Sequence, residues 1–256
     1  MEEIMQSNAF FMVPLVLCYG IICGMWFLLD RVGWLWEISP IRSPEKPWTE
    51  FFLSIIAAIA ILAVGQLYSR GWLLPGSDNE IVAGISWMFN NVIIFSPLWL
   101  TVIIRKQSLN TLLISGKGFL KKVIFGLVAS AVGILIFVSL RNELGRFPEI
   151  FGHAFTYESL INFPAVFFEN VALAFLFVRF RWAVGSRWAI LIPALLFAVA
   201  HIPGSLAEGD PWGHILYFAI LTSSLTVVIL YTAYRSRDII WLGFVHYLVD
   251  VAIKAF

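Results

Sequence analysis

Long apolar stretches, each about the length a helix needs to cross a bilayer, follow one another along this chain with only short polar interruptions. Roughly 20 mostly apolar residues span the hydrocarbon. Eight segments meet that test: about Ala9 to Leu29, Phe51 to Tyr68, Ile81 to Ile104, Val123 to Leu140, Leu160 to Val178, Trp188 to Pro203, His214 to Tyr231 and Ile239 to Phe256. The pattern predicts an all-α fold, a polytopic membrane helical bundle of about eight transmembrane helices. No linker, low-complexity tract or soluble domain interrupts the series, so residues 1–256 read as a single membrane domain. The longer loops, Asp30 to Glu50 and Arg141 to Ser159, mix charges with Trp, Pro and Phe, which suits short amphipathic helices at the interface. Gly20 with Gly24, and Ala129 with Gly133, form small-xxx-small pairs expected to let helix backbones approach closely.

Composition fixes the solvent. Hydrophobic residues make up 60% of the chain and charged ones 13%, with a mean hydropathy of +0.87. These values exclude a water-soluble domain and put the protein in the cell membrane as a multi-pass integral protein in contact with the lipid bilayer. A net charge of +1 gives no sign of a nucleic-acid partner. Thirteen of the 17 Lys and Arg residues lie in the first, third, fifth and seventh loops and only three in the even ones, so the odd loops are assigned to the cytoplasm and both termini to the other side. Glu2 and Glu3 precede the first stretch without a basic region or a small-x-small cleavage site, and no removable leader is expected. Cys18 and Cys23 are five residues apart inside one predicted helix. They point to different faces and read as packing residues, not as a disulfide or metal pair.

Charge within the apolar stretches is confined to the last third. The first four stretches contain no acid, base or histidine, whereas Glu169, His201, His214, His246 and Asp250 lie in or beside the later ones. An ionisable group in hydrocarbon costs about 2.5 kcal/mol or more and is kept where it meets a partner or lines a functional cavity. Glu169 and Asn170 interrupt an otherwise apolar segment, Phe197 and His201 share a helix face just before Pro203 and Gly204, and His246 and Asp250 are four apart on one face. The carboxylate of Asp250 can orient the imidazole of His246. His214, after Pro211, Trp212 and Gly213 at a helix start, reads as structural. One acid and two imidazoles on three helices are what peptide hydrolysis requires: a carboxylate activates water, and imidazoles orient that water, donate to the oxyanion or bind a metal.

In this order, an intramembrane Glu, then FxxxH, then HxxxD, the chain resembles the CAAX-protease and bacteriocin-processing (CPBP, or Abi) family of intramembrane proteases. The segments AILIPALLFAVAH, Ala189 to His201, and IWLGFVHYLVD, Ile240 to Asp250, are similar to that family's catalytic helices, and the resemblance covers about residues 160–250. It implies a catalytic core there. Glu169 would activate the attacking water, His201 would help hold it, and His246 with Asp250 would polarise the scissile carbonyl. The implied substrate is a peptide or protein at the membrane. Two histidines and a carboxylate would also suit zinc, but the metal-free glutamate mechanism is favoured. The family's usual EExxxR departs here to Asn170 and Ala174 at the second Glu and the Arg. This keeps open a catalytically silent scaffold or immunity protein, and a proton-coupled transporter using Glu169 and Asp250 is a third reading.

Overall fold

In the computed structural model the described residues are 2–36, 41–74 and 76–254, with the side chains of all of these but 2–12, 207–208 and 253. They form helices and no strand: α1 (Glu2–Arg31), α2 (Pro47–Ser69), α3 (Glu80–Ile94), α4 (Ser96–Ile104), α5 (Phe119–Leu140), α6 (Phe147–His153), α7 (Tyr157–Leu160), α8 (Phe163–Val184), α9 (Ser186–Glu208), α10 (Trp212–Ser236) and α11 (Ile240–Lys254). Six segments are long and apolar enough to cross a membrane, the bent pair α3–α4 can make a seventh span, and α11 is a shorter apolar helix. The protein is a multi-pass helical membrane protein.

The third apolar stretch is not the single helix its composition suggests. It breaks at Phe95 with a bend of 46°, where the backbone sits at φ −88°, ψ 3°. Pro97 is the cause. It has no N–H to donate, and its ring clashes with the carbonyl four residues earlier, that of Ile93. The sixth stretch departs the other way. His201 does not stand where its helix ends, because α9 runs on through Pro193 and Pro203. It stops at Gly209, whose φ of +82° is the left-handed cap that glycine supplies without a Cβ penalty. In the loop from Arg141 to Ser159, where short helices are expected, α6 forms, while the one-turn α7 begins the span that continues into α8. In the first loop, residues 32–36 and 41–46 are not helical, and 37–40 lie outside the described residues.

The chain divides into two compact units. The first unit comprises residues 1–37, 116–167 and 240–256. In it α5 packs against both α1 and α11, and its small residues make this possible. A Cβ on Gly126 would stand 2.8 Å from the Trp241 carbonyl oxygen, and one on Gly133 would stand 2.8 Å from Cys18 Sγ. The Ala129 and Gly133 pair therefore does the close packing expected of it. Gly20 and Gly24 do not, since a Cβ at either meets nothing within 4 Å. Trp241, wholly buried, fills the interior beside Phe125 and Trp36 at ring separations of 5.0 and 6.5 Å.

The second unit comprises residues 38–115 and 168–239. There α2 packs on α3 and α4, and α9 packs on α10. Its odd-numbered loops meet. Arg105, after α4, pairs at 2.8 Å with Glu50 in the first turn of α2. Arg179 near the end of α8 donates to the Thr111 carbonyl at 3.2 Å, and the Ile239 amide donates to the Leu113 carbonyl at 2.8 Å. In the first unit, Lys121 Nζ likewise reaches the Trp34 carbonyl at 3.4 Å. Loops that the charge count assigns to one side are thus bonded to one another. With cysteines 18 and 23 replaced, Ser186→Cys should resist an impermeant thiol reagent in intact cells while Ser77→Cys, in an exposed loop on the opposite side, should react. Labelling of Ser186→Cys from outside would sink the cytoplasmic assignment.

Candidate active site

Two of the four proposed catalytic side chains belong to the second unit and two to the first. Glu169 is the seventh residue of α8, half-buried, and followed by the wholly buried Asn170. Its predecessor Phe168 contacts the broken span: the ring lies 5.7 Å from Phe95 and 5.8 Å from Trp99, edge-on to the latter. Phe95 and Trp99 are four apart and both rings face Phe168 at the bend of the broken span.

His201 has a defined orientation on α9. Its Nδ1 lies 2.8 Å from the Phe197 carbonyl oxygen. A carbonyl can only accept, so Nδ1 carries the hydrogen. In the neutral ring that leaves the lone pair on Nε2. The Phe197 ring stands edge-on to the imidazole at 4.6 Å, with Phe218 of α10 at 6.3 Å. The spacing FxxxH thus serves twice, since its Phe supplies both the carbonyl that fixes the tautomer and the ring that limits rotation.

His246 and Asp250 lie on α11, both half-buried between buried neighbours. This helix is held firmly. Tyr247 Oη donates to the Ala154 carbonyl at 2.5 Å, and the rings of Phe244 and Tyr247 each lie 5.2 Å from Phe163 at the start of α8. A Cβ on Gly243 would stand 2.7 Å from Phe167, so only glycine admits this approach. Asp250 has a partner the sequence reading did not assign, Lys254 Nζ at 2.8 Å, one turn further on. The zinc set considered from the sequence, Glu169, His201 and His246, draws on both units. Within neither unit do three His, Cys, Asp or Glu side chains gather to hold a metal, among the described residues.

The sequence reading also passed over a buried polar cluster in the second unit. Glu50, only 1% exposed, accepts from Arg105 Nε at 2.9 Å and from Gln107 Nε2 at 2.7 Å. Gln107 Oε1 in turn accepts from Arg179 Nη2. Arg179 is wholly buried, bonds the Phe175 carbonyl at 3.1 Å and lies 3.7 Å over the Phe175 ring. The sequence pattern carries no signal for this cluster, because both charges stand at the ends of apolar stretches, where loop charges are ordinary.

Residues 155–252 match the Rce1-like family, described as type II CAAX prenyl endopeptidase Rce1-like. Over this segment the chain is similar to that family of intramembrane proteases, the group its motifs resemble. The match takes in α8, α9 and α11, the helices that carry all four proposed catalytic residues, and leaves residues 1–154 outside it. No curated protein and no solved structure matches the chain.

Proposed function

We propose that the protein is an intramembrane endopeptidase that hydrolyses a peptide bond of a membrane-associated substrate near the cytoplasmic side, with its catalytic core in residues 160–250. The observation that carries this reading is the coincidence of the family match with the three helices that hold ionisable side chains inside apolar segments. Glu169 takes a proton from water, and the resulting oxygen nucleophile attacks the scissile carbonyl carbon. His201, with Nδ1 committed to Phe197, uses Nε2 to hold that water. His246, supported by Asp250, donates to the oxyanion. The tetrahedral intermediate then expels the amine, which takes the proton from Glu169.

A second reading, a catalytically silent scaffold, has its own support. Asn170 and Ala174 are both wholly buried where the family has a glutamate and an arginine. The experiment is cleavage by the purified protein of peptides ending in a prenylated CAAX motif, beside unmodified apolar peptides and peptide leaders. Release of the C-terminal tripeptide, insensitive to 1,10-phenanthroline and lost in His201→Ala, is the expected result. No cleavage of any of the three classes would transfer the assignment to the scaffold, and loss of activity on chelation would replace the metal-free mechanism by a zinc one.

A further inference from the structure

Helix α8 poses a problem that its own sequence does not solve. From Val171 to Val178 it is apolar on every side, so this stretch by itself does not fix the rotation or depth of the helix. A general base at Glu169 needs a fixed rotation and depth, because a displacement of about 1 Å can cost 10²-fold in rate. We propose that residues 47–112, which lie outside the family match, supply that register by holding α8 at two points. This rests on the reading of Glu169 as the general base and makes Arg179 and Trp99 positioning residues for it.

The first point adjoins the base. Phe95 and Trp99, four apart at the bend of the broken span, close on Phe168, the residue before Glu169. The second point is ten residues on, ~15 Å along the helix at 1.5 Å per residue. There the guanidinium of Arg179 is gripped by the Gln107 side chain and the Thr111 carbonyl, and Gln107 is itself held by Glu50. A planar guanidinium with directional bonds sets rotation in a way that apolar packing cannot. Depth is set as well, since a buried guanidinium cannot move into hydrocarbon away from its acceptors without a large cost. Both grips lie within one compact unit.

The test has two readouts. In a background carrying Cys18→Ala and Cys23→Ala, Phe51→Cys with Phe180→Cys places thiols where two rings stand 4.4 Å apart, and the yield with a short bifunctional thiol reagent reports the rotation of α8 without reference to catalysis. Arg179→Met should lower that yield several-fold. On a prenylated peptide it should lower kcat per folded molecule by about tenfold or more while KM changes little. Trp99→Ala should lower kcat similarly, and Trp99→Phe, which keeps a ring against Phe168, should restore most of it. An unchanged cross-linking yield in Arg179→Met, or full kcat per folded molecule in both Arg179→Met and Trp99→Ala, overturns the proposal. If the unsubstituted protein cleaves nothing, the function reading falls, and the cross-linking yield alone decides whether the register is set this way.

Discussion

Glu169→Gln is expected to lower the rate of peptide cleavage by about 10² or more, the usual scale for loss of a general base, while leaving the folded protein intact. Gln keeps the volume of Glu and most of its hydrogen-bonding capacity but cannot take a proton from water. Neighbours such as Phe168 and Asn170 pack the same helix whichever side chain is present. Stability in detergent should therefore hardly change. The measurement is a single-turnover cleavage rate beside a thermal unfolding curve on the same preparation. A silent scaffold would behave otherwise, keeping its cellular phenotype in Glu169→Gln and losing it only when packing is disturbed. Full complementation of a deletion by Glu169→Gln would end the enzyme assignment.

The largest expected loss of stability is at a residue far from that chemistry. Glu50→Ala removes the carboxylate that holds Arg105 and Gln107, and through Gln107 the wholly buried Arg179. Breaking a buried ion pair from one side costs about 3–5 kcal/mol because the other charge is left uncompensated. Arg105 is 42% exposed and can turn to water, so the loss should fall at the lower end, about 3 kcal/mol. Glu50→Gln keeps an acceptor for one of the two donors and should lose less. Denaturant unfolding in micelles, with helical signal as the readout, checks both. Equal stability of Glu50→Ala and the unsubstituted protein would mean that the cluster contributes nothing to the fold.

Much of the fold was legible in the sequence for one physical reason. In hydrocarbon every backbone N–H and C=O must be paired within the chain, so an apolar stretch of spanning length has little choice but helix. That set the approximate positions of the apolar helices and the membrane location. The candidate catalytic residues were legible for a related reason: Glu169, His201, His246 and Asp250 stand out because charge inside an apolar stretch is costly. The family match over 155–252 falls on the same segment.

Other features depended on which surfaces meet. Pro97 breaks its span whereas Pro193 and Pro203 do not break theirs, and no local pattern separates the cases, because neighbouring packing decides whether a freed carbonyl is tolerated. Gly126 and Gly133 are pressed against α11 and α1, while a Cβ on Gly20 or Gly24 of α1 would meet nothing within 4 Å among the described residues, although all four look alike in a hydrophobic run. Glu50 and Arg179 read as loop charges until tertiary structure buried them, linked through Gln107, which stands 72 positions from Arg179. The sequence by itself determined which residues are in the membrane and which of them can carry a proton, since both follow from the transfer cost of each residue. Only the tertiary structure decided the tautomer of His201, the partner of Asp250 and the grip on α8, because each depends on a directional contact whose partner the transfer cost does not specify.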